Sequence, residues 1–231
     1  MDKFVRANKY DQDWIEENLM GPNPLYLLEE LTNKMELKEG MKVLDMGCGK
    51  ALTSIFLAKE FGVQVWANDL WIDPTDNWER IKKAGVEDRV FPIEAEAHEL
   101  PYAEDFFDAI ISIDAYHYFG TDDGYLSNYF YKLVKEKGQI GIVVPGLTRE
   151  LESGVPDSIK EYWASDMYTF HSADWWENHW GRHGFMNIEH TENIEDSKEI
   201  WVTSQFDIDE ELIKADTNDY LTFVMMLASR K

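Results

Sequence analysis

Cysteine is nearly absent: Cys48 is the only one in 231 residues, so no disulfide can form within the chain. Long apolar runs are missing too. None approaches the roughly eighteen residues that cross a bilayer, and the opening "MDKFVRANKYDQDW" carries no apolar signal core. The expectation is a cytoplasmic protein with no membrane partner. Bases are scarce, with 22 Lys and Arg against 45 Asp and Glu and a net charge of −23. A surface of that sign repels phosphate backbones, so nucleic acid is not an expected partner. There is no internal repeat, no low-complexity tract and no Pro/Gly/Ser linker. A chain of this length builds one sizeable core more readily than two, and 1–231 is read as a single domain.

What is present is the material of a folded globule, 44% hydrophobic and 14% aromatic. Residues 12–36 carry helical spacing (Trp14, Ile15, Leu19, then Leu25, Leu27, Leu28, Leu31), interrupted by "MGPNP". "MKVLDM", "VQVWANDL", "RVFPIEAEA", "FDAIISID" and "GQIGIVVPG" read as strands. "ALTSIFLAKEF" predicts a helix ending at Gly62, and "PTDNWERIKKAG" one with proline at its start and Gly85 at its end. "DGYLSNYFYKLVKEKG" is expected as the helix between the fourth and fifth strands. Strands alternating with helices predict an α/β fold, a doubly wound and mostly parallel sheet. In the last third, "PDSIKEYWASDMYTFHSADWWENHWGRHG" holds two helical patches. "FMNIEHTEN" and "DYLTFVMMLASR" are expected as an antiparallel hairpin at the sheet edge, with 195–216 inserted between them, giving seven strands.

The stretch "VLDMGCGKALTS", Val43 to Ser54, joins a strand to a helix through two glycines. Such a turn presents backbone N–H groups to a ligand. A dinucleotide fingerprint needs a third small residue where Leu52 stands, and a phosphate loop needs a Gly-Lys-Ser/Thr ending that "GCGKAL" lacks. Gly47 and Gly49, with small Ala51 beyond, better suit a ligand lying across the turn without a pyrophosphate.

"VLDMGCG" resembles the first motif of the class I S-adenosylmethionine-dependent methyltransferases, departing at Ala51, where that family usually has glycine. "VWANDL", ending in Asp69, and "AEAHELPYAEDFFDAIISIDAYHYF" are similar to the family's second strand, adenine loop, Leu-Pro-aromatic turn and fourth strand. The resemblance runs through much of 41–146. It implies a Rossmann-like methyltransferase fold, S-adenosyl-L-methionine as cofactor and methyl transfer to a small-molecule acceptor. It further implies a helical cap over 1–40, a cofactor-binding core over 41–146, and a substrate-side insertion with the terminal hairpin over 147–231. Gly47, Cys48 and Gly49 would then lie against the methionine portion. Asp45 would hold the turn or meet the ligand ammonium through water. Asp69, followed by Leu70, would accept the two ribose hydroxyls, and such charge-assisted bonds are strong. Glu96 would meet the adenine amino group and the Ala97 N–H a ring nitrogen, with Glu94 a competitor for the glutamate's role. Asp114 would border the sulfonium and the substrate mouth, or act only as a helix N-terminal carboxylate.

Methyl transfer is an in-line displacement, and a base is needed only where the acceptor must lose a proton. His117 is the candidate base, with Tyr116 and Tyr118 placed to orient or pack against the acceptor. "DAYH" replaces the Asn/Asp-Pro-Pro-aromatic run of enzymes that methylate nucleic-acid amino groups. Five of the nine tryptophans (Trp163, Trp175, Trp176, Trp180, Trp201) fall in the last third. They suit a cation-binding cage or, more simply, helix packing. His179 and His183 are spaced i,i+4, but the rest of the zinc-helix motif is missing and no metal is expected. Residues 150–216 carry 17 acidic and four basic residues, a solvated face or a field favouring a cationic acceptor, an amine foremost. Residues 10–28 and 147–183 are expected to close a pocket facing Asp114 and His117. A non-catalytic cofactor-binding sensor or scaffold is the alternative reading.

Overall fold

The computed structural model describes residues 3–231. Seven strands form one sheet: β1 (Lys42–Met46), β2 (Gln64–Asp69), β3 (Val90–Glu94), β4 (Phe107–Ile113), β5 (Val134–Leu147), β6 (Met186–Asn193) and β7 (Leu221–Arg230). Their order is β3-β2-β1-β4-β5-β7-β6. β1 to β5 run parallel, while β7 is antiparallel to both β5 and β6, as the hairpin reading expects. The chain reaches the β3 edge and returns to place β4 beside β1. This reversal opens a crevice between the carboxyl ends of β1 and β4, where open α/β sheets bind ligands.

Alternation along the strands builds two cores. Val43, Ile111 and Val143 face one side with Leu27, Leu31, Ile55 and Phe56; Leu44, Ile110 and Ile142 face the other with Phe130, Trp176 and Trp180. On the first side lie α1 (Gln12–Asn18), α2 (Pro24–Thr32), α3 (Leu52–Phe61) and α4 (Pro74–Ala84). Their limits follow the residue chemistry. Asp11, Asn23 and Asp73 cap α1, α2 and α4 through their side chains, and Gly62 and Gly85 close α3 and α4 in the left-handed region. Pro92 sits on edge strand β3, where a missing N–H is tolerated.

The second side departs from expectation. In place of a continuous helix before β5, one wide turn (Tyr125–Tyr129) runs into a tight one (Phe130–Leu133), and β5 starts at Val134. Competition for carbonyls explains the change. The N–H groups of Asp105 and Phe106 take the Lys132 and Leu133 carbonyls, and Arg230 reaches those of Lys132 and Val134. Of the two helical patches in the last third, α5 (Ala173–Gly181) is a full helix capped by Ser172, and the first is only two short 3-10 turns at Lys160–Tyr162 and Asp166–Thr169. The 195–216 insertion folds as α6 (Ser197–Trp201) and α7 (Asp207–Ala215). No helix among the described residues is long and apolar enough to cross a membrane.

Candidate active site

A cavity of about 290 Å³ opens at the crevice. Its floor is the turn after β1. Gly47 (φ 76°) and Gly49 (φ 52°) take left-handed backbone, and so does Ala51 (φ 63°), which begins α3 without a side-chain cap. The resemblance's missing glycine is thus a real strain point, since a left-handed alanine costs roughly 1–2 kcal/mol. Gly47 is required for a reason internal to the protein: a Cβ there would stand 2.3 Å from that of Ala115, just past β4. Beneath the turn, Asp45 is fully buried and its Oδ2 accepts the hydroxyls of Thr53 (2.6 Å) and Ser54 (2.5 Å). Burial pushes its carboxyl up to about 6, against the pull of those two hydroxyls. Asp45 therefore ties β1 to the start of α3, and its Oδ1 has no partner. Cys48 also lines the cavity, its thiol pushed well above the usual range by burial.

Asp69 fixes the next wall. Its Oδ2 accepts the Gly49 N–H (2.8 Å) and its Oδ1 those of Trp71 (2.8 Å) and Ile72 (3.2 Å). One carboxylate thereby holds both loops in register while lining the cavity beside Leu70 and Trp71. Ala95, Glu96, Ala97 and His98 form the far wall. Glu96 accepts the backbone N–H of His98 (2.8 Å) and pairs with its Nδ1 (2.9 Å), contacts that hold its carboxyl below the ordinary value. Glu94, the competitor for Glu96, closes β3 and does not line the cavity.

Asp114 stands opposite, immediately after β4, in left-handed backbone (φ 55°) pinned by its N–H to the Val143 carbonyl (2.8 Å). It lines the cavity, and among the described residues no donor bonds its carboxylate. Burial, reinforced by the charges of Asp209 and Asp166, pushes that carboxyl up to about 7. Tyr118 also lines the cavity, and its hydroxyl reaches Asp166 (3.5 Å). The remaining wall is the N-terminal cap, through Asn18, Met20, Gly21, Pro22 and Pro24. It is latched to the glycine turn. Lys50 donates to the carbonyls of Glu17 (3.2 Å) and Leu19 (3.4 Å); Arg80 bonds Asn18 (2.9 Å) and Asn77 (3.0 Å), and Asn77 bonds the Gly49 carbonyl (2.9 Å).

Residues 43–138 match the sequence family described as a methyltransferase domain. The chain shares 34% identity over 90 residues with methyltransferase GfsG of Streptomyces halstedii, a match covering 38% of this chain and 32% of that protein. The matched stretch is thus about a third of that relative's length. Among solved structures, phosphoethanolamine N-methyltransferase 2 of Haemonchus contortus superposes with a TM-score of 0.73 at 22% identity, over 92% of this chain and 54% of that one. Geranyl diphosphate C-methyltransferase of Streptomyces coelicolor A3(2) gives 0.73 at 14% identity, over 89% and 77%. These likenesses establish the Rossmann-like methyltransferase fold.

Within residues 43–138, every residue given above a cofactor-facing role except Asp45 lines this cavity: Gly47, Cys48, Gly49, Asp69, Leu70, Glu96, Ala97 and Asp114. Asp45 lies under it. Tyr116 and His117 are corrected: neither lines the cavity. The tight turn Tyr116–Tyr118 sends the Tyr116 ring into the second core, against Phe130, Trp176 and Trp180. His117 is 2% exposed beside Phe170, and burial drives its imidazole down to about 3, so it stays neutral. The insertion is corrected too, because nothing from 147–231 lines the cavity; Asp166 and Asp209 act on Asp114 only through their charges. Trp176 and Trp180 pack the core and form no cage, and His179 bonds the Gly120 carbonyl (3.0 Å). Sequence reading missed His98, Phe119, Trp71 and the latch formed by Lys50 and Arg80. For His98 a signal existed, since it lies two residues past Glu96; for Arg80, 62 residues from its partner Asn18, none did.

Proposed function

We propose that the protein transfers a methyl group from S-adenosylmethionine to a small-molecule acceptor, a nitrogen acceptor foremost. The observation that carries this reading is the cavity itself, in which the Gly47–Gly49 turn, the Asp69 carboxylate and the Glu96–Ala97 wall face an unpaired Asp114. The residues fit the cofactor: of the roughly four acceptor sites on the Asp69 carboxylate three take N–H groups, leaving one on Oδ2 for a ribose hydroxyl, and the Asp45 Oδ1 beneath the turn is unpartnered. When bound, the cofactor supplies a sulfonium methyl whose C–S bond breaks, the pair staying on sulfur, as the acceptor's lone pair forms the new bond. The chain's own task is alignment and charge management. Asp114 supports nitrogen because a lone carboxylate in a sheltered cavity attracts an ammonium. Its proton affinity near neutral pH also suits it to take the proton an ammonium must shed before attack.

Likeness to the N-methylating Haemonchus enzyme agrees with nitrogen, whereas likeness to the C-methylating Streptomyces enzyme leaves the small-molecule class as the common ground. Two measurements test the reading. S-adenosylmethionine and S-adenosylhomocysteine should raise the melting temperature through linkage, and NAD should not. Release of S-adenosylhomocysteine is then followed with matched amine, alcohol and thiol acceptors. A melting temperature unmoved by either sulfur ligand at millimolar concentration rejects the cofactor. Binding without turnover of any acceptor returns the protein to the sensor reading.

A further inference from the structure

Among the described residues, ten large hydrophobic side chains are exposed, and four of them, Met20, Leu70, Trp71 and Tyr118, line the cavity at the β1/β4 crevice. Scattered exposed apolar residues are ordinary; a convergence of four at one opening marks a binding surface. They arrive from three separate segments, the cap after α1, the loop after β2 and the turn after β4, so the convergence is a product of the fold.

Two of the four are held in place at their roots. Trp71 is 67% exposed, yet its backbone N–H is fixed by Asp69, and its indole meets the Tyr118 ring edge-on at 5.6 Å. Tyr118 is 47% exposed, with its hydroxyl on Asp166 and its ring 4.0 Å from that of His117. An aromatic pair displayed on fixed backbone offers contact area at little cost in ordering. Met20, an unbranched thioether, supplies an adaptable surface from the N-terminal cap. Asp114 lines the same cavity, within reach of the charges of Asp209 and Asp166. An apolar rim continuous with an unpaired acid calls for one molecule carrying both characters.

We propose that the acceptor is an amine borne on an extended apolar body, its nitrogen turned to Asp114 and its body lying on Met20, Trp71 and Tyr118, with Leu70 left to the cofactor. This rests on the methyl-transfer reading and names the substrate class for the same site. A neutral apolar acceptor leaves Asp114 unanswered, and an apolar carboxylate brings a further acid to the field of Asp209 and Asp166.

The test uses the full-length protein and linear primary amines of three, six and ten carbons, kept below their aggregation concentrations, with the ten-carbon alcohol and carboxylate as controls. KM and kcat are read from S-adenosylhomocysteine release, and binding is measured by calorimetry with S-adenosylhomocysteine present. KM should fall at least tenfold from three to ten carbons while kcat changes less than threefold. Trp71→Ala and Tyr118→Leu should each flatten that dependence on chain length. The alcohol and carboxylate should bind at least tenfold more weakly than the ten-carbon amine. A KM independent of length, a dependence untouched by both variants, or equal binding of the alcohol or carboxylate overturns the proposal and leaves methyl transfer standing. Absence of any S-adenosylhomocysteine binding rejects the methyl-transfer reading itself, and this proposal with it.

Discussion

Asp114 combines a left-handed backbone, a cavity-facing carboxylate and no donor. Features that cost stability in this way gather where ligands are handled. The sign of its effect follows from linkage. Its carboxyl rises from the ordinary aspartate value of 3.8 to about 7, so the folded chain holds a proton between those pH values that the unfolded chain has released. Its contribution to stability is therefore greatest below about 4 and is lost as pH rises through 7. His117 runs the opposite way: its imidazole falls to about 3, so its contribution is complete above 6.5 and is lost as pH drops toward 3. Asp114→Asn should consequently raise the melting temperature at pH 8 by several degrees, an advantage that shrinks to nothing near pH 4. Calorimetric scans from pH 4 to 8 check this. Equal gains at both ends would detach the effect from ionisation. Gly47→Ala belongs to the same scale. The added Cβ meets Ala115, and the left-handed backbone adds strain, so the loss should be about 2–4 kcal/mol in denaturant titration. The two glycines were legible in the sequence, but this reason was not, because Ala115 is brought alongside only by the β1–β4 pairing.

Among the elements, the N-terminal cap forms one wall of the cavity, through Asn18, Met20, Gly21, Pro22 and Pro24. Its latch is polar and partly buried, where a hydrogen bond to a charged donor contributes about 1.5–3 kcal/mol. Arg80→Ala should speed amide hydrogen exchange across 19–24 by about tenfold or more and leave exchange in β1 and β4 unchanged. Uniform acceleration throughout the sheet would instead mean general destabilisation. Legibility also varied by element. α2, α3 and α4 announced themselves through proline starts, glycine ends and apolar spacing. The segment 123–138 had comparable spacing, yet its carbonyls are claimed by Asp105, Phe106 and Arg230, the last nearly a hundred residues away. Periodicity reports which face is apolar and says nothing of distant competitors for the backbone. The site shows the same division. Residues fixed by the strand–turn pattern (Gly47, Gly49, Asp69, Asp114) fell in the cavity, whereas Tyr116 and His117, one turn further on, went into the core.

At the scale of the molecule, the net charge of −23 sets a field that reaches beyond any single contact. A cationic acceptor is gathered by that field and a neutral one is not, and the Debye length of about 10 Å at 0.1 M salt decides how far it acts. Raising ionic strength from 20 to 300 mM should increase the KM of an amine severalfold and leave that of a matched neutral acceptor within a factor of two. Steady-state kinetics at four salt concentrations check this; a parallel rise for both would assign the effect to the protein's conformation.

Cys48 has a use that its place in the glycine turn gives without any engineering. It is the chain's only thiol, 6% exposed, and it lines the cavity. The protein thus carries one built-in reporter at its binding floor. Burial makes that sulfur slow to alkylate, so its labelling rate counts the moments when the floor is uncovered. Mass spectrometry of one modified peptide could then rank unknown ligands by the protection they give, before any product has been identified.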